Sequence, residues 1–319
     1  MMKPIRRVIP ALVMTALFPL HAGAADLKWN GFLDFTFMAI DDTTSGKSPT
    51  QSKFDMMGEL DLNAALGNQV TARMDFDLSN SMGGDSGQFE QAFVAWDSPK
   101  GIQLKGGLFN NPLSWEAEDA PDLFQISHGQ LYGIWNETTM LSGNNVMGVS
   151  ISGKTGVVTL TGALLNDLQQ EDERNSFMGI VEIKPDAHMD LKVGFVTQDL
   201  YFETIVDINA TYTQGLFMAG GEIMLPSDII DMGFGVTGTY RLSEQVTGTL
   251  RFDNVSYDVA GWDDSRSITI AASYMLDKNL MVNAELRSSS TDDIPASAFP
   301  DGNFIRDGNQ VQLELIATF

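Results

Sequence analysis

Carboxylates are the side chains with which this sequence can do most. Glu116, Glu118, Asp119 and Asp122 fall close together, and His128 and Glu137 follow in the same stretch. Such a cluster sets a negative potential and draws cations; paired carboxyls also move protons for hydrolysis. Nucleophilic catalysis asks for more, a base beside a nucleophile. The chain has three histidines, His21, His128 and His188. Only His128 is placed to act as a base, and no motif sets a Ser or Asp beside it. With no cysteine, disulfide frameworks and thiolate metal sites are excluded, and so few histidines exclude a histidine metal cluster. The acidic pairs Asp41-Asp42, Asp263-Asp264 and Asp292-Asp293 suit hard divalent cations, or are simply solvated. Glycine-rich pieces follow no strand–loop–helix order, so no phosphate-binding loop is present and no cofactor is implied.

Composition narrows the partners. The 319 residues hold 42 acidic against 19 basic side chains, a formal net charge of -23. Phosphate repulsion excludes a nucleic-acid partner. A hydrophobic content of 43% excludes a disordered acidic chain. The first 24 residues stand apart. Lys3, Arg6 and Arg7 precede an apolar stretch from Val8 to Leu20, and Ala22-Gly23-Ala24 closes it. This is the pattern of a cleaved secretory signal over residues 1–24, leaving 25–319 as one domain. The apolar stretch, about 13 residues and broken by Pro10 and Pro19, is short for a membrane span.

The elements that must carry the acidic cluster have period two. In the stretch from Gln69 to Ser79, Val70, Ala72, Met74, Phe76 and Leu78 alternate with Thr71, Arg73, Asp75 and Asp77. Leu250 and Phe252 alternate with Arg251 and Asp253, and the final stretch alternates Val311, Leu313 and Leu315 with Gln310, Gln312 and Glu314. Alternation of this kind puts the apolar set on one sheet face and the polar set on the other. A soluble sandwich would show it too; the turn spacing separates the two.

Short turn signals fall near 67–68, 98–101, 154–156, 185–188, 214–215, 242–244 and 276–279. Longer polar connections lie near 41–52, 80–87, 111–144, 167–175, 199–203, 225–231, 256–265 and 289–309. Short turns alternating with longer loops predict an all-β, transmembrane antiparallel barrel of about 16 strands, with 14 or 18 as alternatives. Trp29, Trp96, Tyr240, Tyr257, Tyr274 and Phe319 fall near strand ends, where amphipathic rings suit the lipid–water interface.

An exported, acidic, cysteine-free chain of repeated hairpins that ends on Phe319 resembles the bacterial outer-membrane porins. The stretch from Lys105 to Phe124, with Gly107, Phe109 and Pro112 before a long loop, resembles the strand-then-loop segment of the phosphate-selective-type porins. The resemblance implies an outer-membrane location, contact with lipid and lipopolysaccharide, and homotrimers. It also implies that Phe319 is part of the signal read by the barrel-assembly machinery. One departure matters: phosphate-selective pores line the channel with Arg and Lys, and this chain is acidic.

In the general porins the third external loop folds into the lumen. By the turn count, 111–144 holds that place, and its Leu113, Trp115, Leu123, Phe124 and Ile126 call for burial. Glu116, Glu118, Asp119 and Asp122 would then face Arg73, Lys105, Arg251 and Arg287 across a constriction. The expected function is a passive diffusion channel for small hydrophilic solutes with a moderate cation preference. The rivals are a non-conducting structural or adhesin barrel, which would carry longer loops richer in aromatics, and a barrel enzyme resting on His128.

Overall fold

The computed structural model describes residues 26–42, 50–79, 88–139, 144–168, 174–197, 204–227, 229–290 and 307–319. They form sixteen strands. In chain order these are β1 (Asp26–Asp42), β2 (Thr50–Gly67), β3 (Val70–Ser79), β4 (Gln88–Asp97), β5 (Ile102–Asn110), β6 (Asn145–Thr155), β7 (Val158–Leu165) and β8 (Ser176–Ile183). They continue as β9 (Met189–Thr197), β10 (Thr204–Gln214), β11 (Phe217–Leu225), β12 (Ile230–Arg241), β13 (Val246–Tyr257), β14 (Ser265–Asp277), β15 (Leu280–Ser290) and β16 (Gly308–Thr318). One helix, α1 (Gln130–Thr139), lies between β5 and β6.

Each strand pairs antiparallel with its neighbour in sequence, and β1 pairs with β16 from Phe32↔Thr318 to Asp42↔Gly308. The sheet therefore closes, and no edge strand is left to seek a partner. The seven short connections sit at the seven turn signals. At Gly156 and Gly215, φ values of 59° and 63° show why glycine marks those turns.

The faces follow the alternation. Leu250 is 56% exposed on the outside, while Arg251 on the inside is 1% exposed. Phe252 packs at a tilt against Phe234 of β12 on the outer face, ring centroids 5.6 Å apart. Trp29, Trp96, Tyr240, Tyr274 and Phe319 are exposed, but Tyr257 departs from that girdle. It packs on the interior apolar cluster and meets Trp262 edge-on, because Val255 and Tyr257 share the inward face of β13.

One register shift bears on the lumen. Between β3 and β4, Asp75 pairs with Gln91 and Phe76 with Phe89, so Glu90 is an extra residue. The bulge turns Glu90 and Gln91 both toward the interior, where they are 1% and 4% exposed, while Phe89 stays outside.

Candidate functional site

Residues 111–139 cross the barrel interior instead of capping it. Outbound, Pro112 O accepts from Lys192 Nζ at 2.8 Å and Leu113 O from Asn209 Nδ2 at 2.9 Å. Trp115 Nε1 then donates to Thr211 Oγ1 at 2.8 Å. At its far reach, a single 3-10 turn (Ala120–Asp122) sets Ala120 between Phe32 of β1 and Ile316 of β16. On the way back, the backbone N–H groups of Ile126 and Ser127 donate to Glu285 Oε2 at 2.8 and 2.9 Å. Arg251 donates to Ser127 O at 2.6 Å and His128 O at 3.1 Å, and Arg287 to His128 O at 3.1 Å. Trp135 of α1 donates from Nε1 to Glu222 Oε1 at 2.8 Å.

Apolar packing explains why the loop goes in. Leu113, Leu131, Ile134 and Trp135 are almost fully buried, in one cluster with Val146, Leu165, Val196, Ile205, Met224 and Val255 of the wall. These apolar side chains would otherwise lie in water, and their burial favours the inward path. Glycines on the wall give the needed space: a Cβ at Gly194 would overlap Leu113, and one at Gly220 would overlap Trp115.

Within the loop, Glu116 and His128 pair with each other. Glu116 Oε1 lies 2.7 Å from His128 Nδ1, its carboxylate accepts from Gly129 N at 3.0 Å, and Oε2 is 3.7 Å from Arg251. Burial alone would raise the Glu116 carboxyl, but His128 and Arg251 overcome it and hold it below the usual range. Burial likewise lowers the His128 imidazole, yet the hydrogen bond and charge of Glu116 prevail and raise it. His128 also stacks on Tyr132, centroids 3.7 Å apart. Glu118 is different. Burial pushes it up to about 7; His128 opposes, while Asp119, Asp77 and Glu116 add to the rise. Burial also raises Asp119, against a hydrogen bond with Glu59 and the charge of Arg73. Asp122 is exposed.

The residues expected to face one another are therefore distributed in two places. Arg251 and Arg287 lie beneath the loop and bind its carbonyls; they do not stand across a gap from it. Arg251 is also 3.1 Å from Asp253, so its charge is consumed locally. Arg73 stands on the other wall, 2.7 Å from Asp75 and 3.6 Å from Asp61. Lys105 lies over the rings of Phe93 and Phe109, 4.7 and 5.3 Å from their centroids.

Around Arg73 the wall is acidic. Carboxylate oxygens of Glu59, Glu90 and Asp119 lie within 4.8 Å of one another, and so do those of Glu59, Asp61 and Asp75. Sequence reasoning passed over Glu59, Glu90, Glu222 and Glu285. Glu59 and Asp61 were within reach, since they alternate with Leu60 and Leu62. Glu90 was not, because only a bulge turns it inward. Of the external acidic pairs, Asp264 meets Arg266 at 3.4 Å, and Asp292-Asp293 lies outside the described residues, as does the segment 1–24.

Comparison with known proteins fits this geometry. The family model described as Gram-negative porin matches residues 11–294. No curated protein sequence matches the chain. Among solved structures, the anion-selective porin from Comamonas acidovorans aligns with a TM-score of 0.70 at 11% identity, over 92% of this chain and 100% of that one. The Salmonella typhi OmpF complex with daunomycin aligns at 0.71 and 10% identity, covering 92% and 97%. The outer membrane channel DcaP of Acinetobacter baumannii aligns at 0.69 and 13%, also covering 92% and 97%. At such identities the likeness is one of fold.

Proposed function

The chain belongs to the Gram-negative porins, a passive channel of the bacterial outer membrane, and from that premise we propose a narrow pore with a moderate cation preference for small hydrophilic solutes. Family and fold point to a channel rather than to an enzyme. The observation that carries the selectivity is the wall of β2–β4, where Glu59 and Glu90 meet Asp119 of the loop, Asp61 and Asp75 lie beside Glu59, and Arg73 is the one guanidinium paired with them among the described residues. Carboxylates in excess at a constriction concentrate cations and hold anions back. Narrowness is supported by the interior polar side chains, such as Asp34, Gln312 and Glu314, which are less than 9% exposed.

In this reading Glu118, Asp119, Asp122, Arg73 and Lys105 meet the passing ion, and Glu116, Arg251 and Arg287 act by holding the loop. The anion selectivity printed for the Comamonas protein belongs to that protein. Purified protein in planar bilayers under a potassium chloride gradient tests the reading. Stepwise conductance with a reversal potential favouring potassium is expected. The preference should weaken as salt rises and the Debye length falls from about 10 Å at 0.1 M to about 3 Å at 1 M. Anion preference in the unmodified protein would overturn it.

The same reading takes 1–24 as a removed export signal, Phe319 as the assembly mark and a homotrimer as the working form. Phe319 supports its part by position: it is 60% exposed and exchanges backbone hydrogen bonds with Gly31 at 3.0 and 3.2 Å, where β1 meets β16. Deleting Phe319 should lower the folded, heat-modifiable yield in the outer membrane.

A further inference from the structure

We propose that Glu59, Glu90 and Asp119 form a binding site for a hard divalent cation, calcium by its size, that ties the far reach of the inner loop to the opposite wall. Three elements contribute: Glu59 from β2, Glu90 from β4 and Asp119 from the loop, their carboxylate oxygens within 4.8 Å of one another. Two oxygens that each sit about 2.4 Å from a common calcium ion are at most about 4.8 Å apart, so the three groups need little rearrangement to share one. The tighter octahedron of magnesium, with ligands at about 2.0–2.1 Å, asks for more closure.

Burial separates this cluster from a solvated acidic patch. Glu59 is 3% exposed and Glu90 1% exposed. Glu90 Oε1 is enclosed with no hydrogen-bond partner, as is Asp119 Oδ1. A buried carboxylate oxygen without a partner is costly, and a cation with open coordination positions relieves it. The bulge at Glu90 aims this side chain at the cluster, where regular pairing would not carry Glu90 and Gln91 inward together.

The neighbouring trio of Glu59, Asp61 and Asp75 serves as the contrast. There Arg73 sits 2.7 Å from Asp75 and 3.6 Å from Asp61, Gln91 Nε2 donates to Asp75 at 2.6 Å, and Asn30 donates to Asp61. That trio already has its cation and its donors. Among the described residues, no basic side chain comes within ion-pair distance of Glu59, Glu90 or Asp119, so the ion belongs on their side of the shared Glu59. Its mechanical effect follows from the loop's path. Among the described residues, the polar anchors of the loop other than the Asp119–Glu59 hydrogen bond lie on β9–β15, and the ion would reinforce the attachment to β2 and add one to β4.

The test uses the full barrel in a detergent free of lipopolysaccharide, with calcium chloride as the probe and calorimetric titration as the first readout. The unmodified protein should bind calcium with a tight equivalent that Glu90→Gln and Asp119→Asn each weaken at least tenfold. Asp122→Asn, which neutralises an exposed acid of the same loop, should leave that equivalent intact. Calcium should raise the unfolding temperature of the unmodified protein and of Asp122→Asn but not of the other two. If Glu90→Gln failed to fold, Asp119→Asn would decide alone, since its position lies in the loop. Absence of calcium binding, or equal binding in all four proteins, would overturn the site and place any calcium on the external loops. Neither readout measures ion flow, so the result stands apart from the selectivity of the pore.

Discussion

The two sides of the lumen read alike in sequence and differ in the folded barrel. On β9–β15, inward polar residues lie under the loop and find partners in it: Glu285 takes two of its backbone amides, Arg251 and Arg287 take its carbonyls, and Glu222 takes its tryptophan. On β2–β4 the inward residues face the loop's tip, acids meet acids, and Arg73 serves several carboxylates. Alternation fixes which side chains point inward. What covers them decides whether they act as anchors or as a charged surface.

Arg251→Leu should have the largest effect on that contrast. The change leaves Glu116 and Asp253 without their guanidinium and frees the carbonyls of Ser127 and His128. Breaking a buried pair from one side costs about 3–5 kcal/mol, so urea unfolding in detergent should shift by that order. Conductance should become noisier as the loop loosens. A residue with wet, lumen-facing surroundings would tolerate leucine well. An unfolding curve within about 1 kcal/mol of the parent would mean that hydrophobic packing alone pins the loop.

Gly220→Leu comes next. The new side chain competes for the space of Trp115, and overfilling of this kind costs about 1–3 kcal/mol. Gly162→Leu is the control, because a Cβ at Gly162 meets nothing within 4 Å. Displacement of Trp115 toward the wet lumen should red-shift or broaden the tryptophan emission in Gly220→Leu and change its single-channel conductance, with Gly162→Leu unchanged in both. Identical behaviour of the two variants would show that close approach of loop and wall at Gly220 is not required.

Much of the fold was legible because its causes are local. Seven short turns, eight longer loops and the alternation between them determine sixteen strands, and an even strand number lets β1 and β16 meet antiparallel. The interior was legible only as a direction. Arg251 reads as inward from its neighbours Leu250 and Phe252, but nothing near it in sequence says that Ser127 and His128 will cover it. Glu90 reads as out of phase, and only the register of β3 against β4 shows that it turns in. Tyr257 read as a girdle residue, and its contact with Trp262 depends on an external loop. Contacts between positions 59, 90 and 119 depend on three separated elements meeting, which no spacing encodes.

The smallest effect concerns Glu118, which lies between the two sides. Its carboxyl is pushed up to about 7 by burial, with Asp119, Asp77 and Glu116 adding and His128 opposing. A carboxyl raised in the folded state is neutral at low pH, where its protonation favours the folded loop. That contribution is fully present below about 4.5 and is lost as pH rises through about 7. Glu116 runs the other way: His128 and Arg251 hold it below the usual range. A negative charge therefore appears at Glu118 between pH 5.5 and 8. Potassium preference should be greater at pH 8 than at pH 5.5, by less than about twofold, since one added charge is partly screened by the electrolyte. Glu118→Gln should remove most of that difference and leave the preference near its acid-pH value throughout. If Glu118→Gln kept the whole pH step, the titrating groups would be the acids of the β2–β4 wall, and the contrast between the two sides would be sharper than the loop's own charges make it.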